Sequence, residues 1–232
     1  MNDSKVYRWT GAFGVASFIV FLLALPLYYL GGQEPPIQDT VLTNEFVTRT
    51  SLLIISRATI TDPIIMGCIL IFLVGFRHLV KQTQPEYEWM STLVLGFGLV
   101  VITLELVGDA LQGAAALDTL AKPEPAIVRS LLEGSFPFYG AVGLIMSAFF
   151  LASAGYTTLV AGVLPKWTGW FALAAAITNL AAAPSIFWTP DYTRFYSATG
   201  YATMIGQGML VLWFFIAAVA MILVRLKPVE MK

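Results

Sequence analysis

Six apolar runs, each about as long as a bilayer core is thick, constrain this chain more than any other feature. They fall at about 11–30, 63–80, 90–112, 137–162, 168–188 and 199–224. A helix of about twenty apolar residues crosses the roughly 30 Å hydrocarbon core. Inside that core every backbone polar group must be satisfied within the chain, which leaves a helix bundle as the fold for runs of this kind. The expected fold is therefore all-α. It is a polytopic bundle of six transmembrane helices forming one domain over 1–232, with the lipid bilayer as its first partner. Composition agrees: of 232 residues, 58% are hydrophobic and 12% charged. A soluble domain has about 45–50% and about 25%. These values exclude a soluble globular domain and a disordered chain. The net charge of −1 excludes the basic footprint of a nucleic-acid binder.

The first run is too long for the core of a signal peptide. It also lacks a small-x-small cleavage site before Gly31, so it reads as a retained helix. With six spans, both termini share one side. That side carries Lys5, Arg8, Arg77, Lys81, Lys166, Arg225, Lys227 and Lys232 against four acids. The other side carries Arg49, Arg57, Lys122, Arg129 and Arg194 against ten. An excess of Lys and Arg marks the cytoplasmic face, so both termini are expected there. Trp9, Trp89, Trp167 and Trp170 fall at the same boundary, as an aromatic belt would. The plan suits a bacterial or archaeal plasma membrane, and no organelle address is visible.

The first outer loop is long. Within it, residues 46–60 are apolar but interrupted by Arg49, Ser56 and Arg57, which suggests an interfacial helix or an outward extension of the second span. Asp62-Pro63 reads as a helix start, with the aspartate as N-cap and proline at the first position. Thr189-Pro190 has the same form. Pro26 and Pro184, near the outer ends of the first and fifth spans, are expected to kink them and favour a cavity open on the outer side. No internal repeat is visible, which gives no support to an inverted-repeat transporter.

Two scarce residue types narrow the chemistry. Cys68 is the one cysteine and His78 the one histidine. Together they exclude an intrachain disulfide, a cysteine-ligated cluster and bis-histidine haem. No lysine falls within a span, so a retinal Schiff base has no candidate. No cofactor is predicted, although a bundle of this kind has room for a bound lipid or pigment.

The third span holds the most informative stretch, ITLELVGDALQG. Glu105, Asp109 and Gln112 are spaced i, i+4, i+7 and share one helix face. Glu105 lies about four residues beyond the span's midpoint, roughly 6 Å along the axis. Gln207 in the sixth span has a matching depth, and Asn179 and Ser147 lie near mid-depth. Tyr139, Gly143 and Ser147 form one stripe on the fourth span, and Tyr201 and Trp213 are aromatics available to line a pocket. The candidate ligand- or ion-binding set is therefore Glu105, Asp109, Gln112, Ser147, Asn179, Gln207, Tyr139 and Tyr201. An acid at a helix centre costs about 2.5–3.5 kcal/mol on insertion scales. Glu105 is thus expected to face the bundle interior and to be hydrogen-bonded. Asp109, one turn nearer the surface, is expected to pair with Arg57 or Arg129. The competing reading is structural, because lone polar residues often tie membrane helices together. On that reading Asp62 is a cap, Arg129 and Glu133 are solvated, and His78 is an interface residue.

One stretch carries a resemblance. LPKWTGWFALAAAITNLAAA (164–183) resembles the turn and fifth helix of a bacterial family of small six-helix integral membrane proteins of unknown function. GQGMLVLWFFIAAVAMIL (206–223) is similar to that family's last helix. The resemblance implies the same six-helix plan and a long first outer loop. It supplies no catalytic residues.

No catalytic residues and no metal ligands are predicted. The chain has no His-x-x-x-His motif, nucleophile elbow or phosphate-binding glycine loop. Glu105, Asp109 and Asp62 could suit a hard cation by oxygen chemistry, but their spacing specifies none. The favoured function is a non-enzymatic membrane protein, either an accessory subunit or a small-ligand or lipid binder. A membrane-protein partner would dock on faces of small residues such as Ala114–Ala116, Ala174–Ala176 and Ala181–Ala183. One alternative is a proton- or cation-coupled transporter of a small amphiphile. A second is an intramembrane lipid-modifying enzyme using Glu105 and Asp109 as acid and base.

Overall fold

The computed structural model describes residues 3–30, 35, 37–121, 124–188 and 194–223. All regular structure among them is helical. Eight α-helices follow one another: α1 (Asp3–Tyr29), α2 (Thr40–Ser56), α3 (Asp62–Thr83), α4 (Glu88–Ala121), α5 (Pro125–Tyr139), α6 (Ala141–Ala161), α7 (Lys166–Ala182) and α8 (Tyr201–Leu223). Six helical stretches are long and apolar enough to cross a membrane: Lys5–Leu27, Thr40–Thr83, Pro85–Leu120, Pro125–Ala161, Lys166–Phe187 and Tyr201–Leu223. Thr189-Pro190, Lys122, Arg225, Lys227 and Lys232 lie outside the described residues.

Three of these stretches run far past their sequence-based bounds. The second is one rod from Thr40 to Thr83, because α2 runs into α3 through a π-helical turn at Arg57–Thr61. The amide of Asp62 donates to the carbonyl of Arg57, five residues back. Asp62 is therefore not a helix cap, and its backbone is helical on both sides. Pro63 has no amide to donate, and its ring would clash with the carbonyl four residues back in an ordinary helix. That carbonyl belongs to Thr59, inside the wider π turn, where the proline is accommodated. The third span likewise extends past position 112 to Ala121, giving α4 34 residues and a length of about 51 Å. The fourth begins at Pro125 rather than near 137, and it is divided at Gly140, where α5 ends and α6 begins. Pro26 lies inside α1, and Pro184 falls in a short 3-10 segment after α7.

The six long stretches close into a ring. Helix α1 packs against α3, α3 against α4, α4 against α6, α6 against α7, α7 against α8, and α8 returns to α1. A Cβ built on Gly11 of α1 would meet Ala218 and Ile222 of α8, so the described start of α1 and end of α8 share one end of the bundle. We call this the proximal end and the opposite one the distal end. Glu88 at the proximal end accepts from Arg77 and Lys81, both at 2.8 Å. Trp9, Trp89, Trp167 and Trp170 are all more than half exposed there.

A buried aromatic knot packs the bundle on the proximal side of the middle. Trp213 meets Phe150 and Phe72 edge-on, with ring centroids 5.4 Å and 6.3 Å apart, and Phe214 stacks on Phe150 at 5.2 Å. The indole Nε1 of Trp213 donates to the carbonyl of Thr168 at 3.3 Å. Helices α6 and α7 cross where glycine faces glycine. A Cβ on Gly155 would lie 2.8 Å from the carbonyl oxygen of Gly169, and one on Gly169 2.9 Å from that of Gly155. Ala172, Ala175 and Ala176 beside this crossing are buried. At the distal end α2, the last turns of α4 and α5 form a small lobe around Val47, Ala115, Ala116, Val128 and Leu132.

Candidate ligand cavity

The distal half of the ring is not filled by side chains. A cavity of about 320 Å³ lies between α1, α3, α4 and α8. Its lower wall is apolar, with Phe18 and Phe21 from α1, Ile65, Met66 and Ile69 from α3, Val101 and Ile102 from α4, and Leu210 and Phe214 from α8. Its distal end is polar and is formed by Arg57, Asp62, Glu105, Asp109, Gln112, Tyr139 and Gln207.

Each polar group is placed by its helix. The π turn points Arg57 into the bundle, where its side chain is only 13% exposed. Its Nε lies 3.6 Å from Asp62 Oδ2, and its Nη2 lies 3.8 Å from Asp109 Oδ1. The same guanidinium donates to Gln112 Oε1. Tyr139, the last residue of α5, donates its hydroxyl to Asp109 Oδ1 at 2.6 Å. That reach depends on Gly108, since a Cβ there would sit 2.6 Å from Tyr139 Cζ. Gln207 on α8 donates to the backbone carbonyl of Tyr139 at 2.8 Å, tying α8 to the α5–α6 break.

Glu105 is different. It is partly buried, lines the cavity, and lies within electrostatic reach of Asp109, Asp62 and Arg57. Among the described residues its carboxyl has no hydrogen-bond or ion-pair partner. The sequence-based expectation of a hydrogen-bonded Glu105 is corrected accordingly. It lies one helical turn below Asp109, where the polar end of the cavity meets its apolar wall.

Of the residues singled out from sequence, Glu105, Asp109, Gln112, Tyr139 and Gln207 come together here. Ser147, Asn179 and Tyr201 do not line this cavity. Asn179 is fully buried and bridges helices by donating to the carbonyls of Ala175 and Gly206, each at 2.9 Å. Ser147 is also fully buried, and its hydroxyl has no hydrogen-bond partner among the described residues. Tyr201 is 54% exposed. Trp213 belongs to the aromatic knot. Of the two bases considered for Asp109, Arg57 is the one that reaches it, whereas Arg129 pairs with Glu133 at 2.8 Å on an exposed face of α5.

The candidate binding set drawn from sequence left out Asp62 and Arg57, although Asp62 was grouped with Glu105 and Asp109 as a possible cation ligand and Arg57 was named as a partner for Asp109. The available signal was an arginine inside an apolar run, five residues before an aspartate. A second cavity, about 280 Å³, lies beyond the first and shares Gln112, Tyr139 and Gln207 with it. Phe136, Ala198, Thr199, Thr203 and Met204 complete its lining. No group of three or more His, Cys, Asp or Glu able to hold a metal ion occurs among the described residues. No family model, curated protein or solved structure matches the chain.

Proposed function

We propose that this protein is a non-enzymatic, multi-pass membrane protein that holds one small amphiphilic molecule in the distal half of its bundle. The observation that carries this reading is the division of a single cavity into an apolar wall and a polar end. A pocket of about 320 Å³ is within the range that binds small molecules. Along α4, Glu105 lies about 26 Å and Gln112 about 36 Å from Glu88. With Glu88 near one interface of a core about 30 Å thick, the polar end sits close to the other interface. A bound amphiphile would then lie head to interface and tail to midplane, as a lipid of that leaflet does. With both termini cytoplasmic, that leaflet is the outer one.

Native mass spectrometry of the protein extracted in mild detergent tests the reading. The expected spectrum shows one small molecule bound per chain. Ile102→Trp, which fills the apolar wall, is expected to lose it while keeping the fold. A wild-type chain that stays bare after extraction, and also after incubation with medium-chain alcohols, amines and carboxylates, overturns the reading.

The second cavity supports an alternative, transport of the amphiphile. Gln112, Tyr139 and Gln207 stand between two spaces and would have to part for a ligand to pass. Proteoliposome flux that depends on a proton or sodium gradient would favour transport over storage or sensing.

A further inference from the structure

We infer that the head group of the amphiphile is cationic, an amine or quaternary ammonium, and that Glu105 is its counter-charge. This inference rests on the amphiphile-binding reading above and adds the ligand's chemical class. The residues lining the cavity include one base, Arg57, and three acids, Asp62, Glu105 and Asp109. With all four ionised the formal charge of the lining is −2.

Arg57 is already committed. It faces Asp62 and Asp109 and donates to Gln112. An anionic head would have to draw the guanidinium away from two carboxylates while lying beside a third. A neutral head would offer Glu105 no charge to pair with, and a carboxyl in so poorly solvated a place is then neutralised by a proton rather than by the ligand. A cation placed at Glu105 forms the missing pair and leaves the Arg57 cluster intact. The position fits as well, because Glu105 sits at the junction of polar end and apolar wall, where the head of a bound amphiphile joins its tail. The rings of Phe18, Phe21 and Phe214 line the adjoining space, and aromatic faces attract ammonium groups.

The cavity has the volume of roughly ten waters, which suits a chain of about ten carbons. The test uses the full chain in nanodiscs of phosphatidylcholine, with empty nanodiscs as control. It is titrated with decyltrimethylammonium, decanol and decanoate, and occupancy is read by native mass spectrometry. The expected result is saturable binding of one decyltrimethylammonium per chain, at least about tenfold tighter than either other probe. Glu105→Gln is expected to weaken the cation by about tenfold and leave decanol within about twofold. Glu105→Asp, which keeps the charge, is expected to retain the preference for the cation. Equal binding of the three probes, or a preference for decanol or decanoate, overturns the cationic assignment while amphiphile binding stands. So does a Glu105→Gln variant that melts like wild type and keeps the cation preference. Saturable binding of none of the three, by a chain that also carries no molecule from extraction, overturns both readings.

Discussion

The hydroxyl of Tyr139 reaches Asp109 at 2.6 Å across the bare backbone of Gly108. The contact joins the end of α5 to the middle of α4, at the wall between the two cavities. It has two separable requirements, a donor on the ring and the absence of a side chain beneath it.

The donor is tested by Tyr139→Phe. A hydrogen bond to a charged group contributes about 1.5–3 kcal/mol net. The variant is expected to lose stability in that range in a thermal or denaturant melt in mild detergent. A change below about 0.5 kcal/mol would show that the bond adds nothing to the fold.

The space is tested by Gly108→Val. Its side chain would occupy the position of the Tyr139 ring, and overpacking of this kind costs about 1–3 kcal/mol. Contacting residues are not additive. Gly108→Val combined with Tyr139→Ala is therefore expected to cost less than the sum of the two single changes. Strict additivity in the double-mutant cycle would place the ring elsewhere.

Removing Arg57 has a larger consequence. Arg57→Met leaves Asp62 and Asp109, each less than 10% exposed, without their shared guanidinium. Loss of one partner of a buried ion pair costs about 3–5 kcal/mol. Adding Asp109→Asn to Arg57→Met is expected to restore part of that loss, as read by melting temperature and by the yield of folded protein. A double variant weaker than Arg57→Met would mean that Asp109 is held by contacts other than the arginine.

The α6–α7 crossing makes a contrasting prediction away from the cavity. Gly169→Leu would drive a side chain into the Gly155 backbone, with a destabilisation of at least about 2 kcal/mol. Gly96→Leu is the control. Gly96 is exposed and a Cβ there meets nothing within 4 Å, so its substitution is expected to be neutral within about 0.5 kcal/mol. Equal effects would show that the glycine contact does not set the crossing.

The spans were legible in the sequence because lipid imposes a crude rule of length and hydropathy that needs no knowledge of packing. The inward face of α4 was legible too, since Glu105, Asp109 and Gln112 repeat with the helix period. Asp62 was misread for a local reason. An aspartate before a proline has the form of a helix start, and only the π turn, wound five residues to the bond, lets the helix run through it. Arg57 was legible as a partner for Asp109, but not its contact with Asp62, which the same turn creates by carrying its side chain into the bundle. Asn179 and Ser147 had the right depth but the wrong face. Depth follows from counting along a span, whereas the face depends on which neighbours a helix meets, and that is decided by contacts such as Gly155 against Gly169.

The unbroken run from Thr40 to Thr83 has a geometric consequence. It is a rod of about 66 Å, so roughly half of it projects beyond a core about 30 Å thick. The segment between the two halves carries Arg57. The distal lobe and the cavity thus share one continuous helix, and the arginine that reaches Asp62 and Asp109 lies at the join between its two halves.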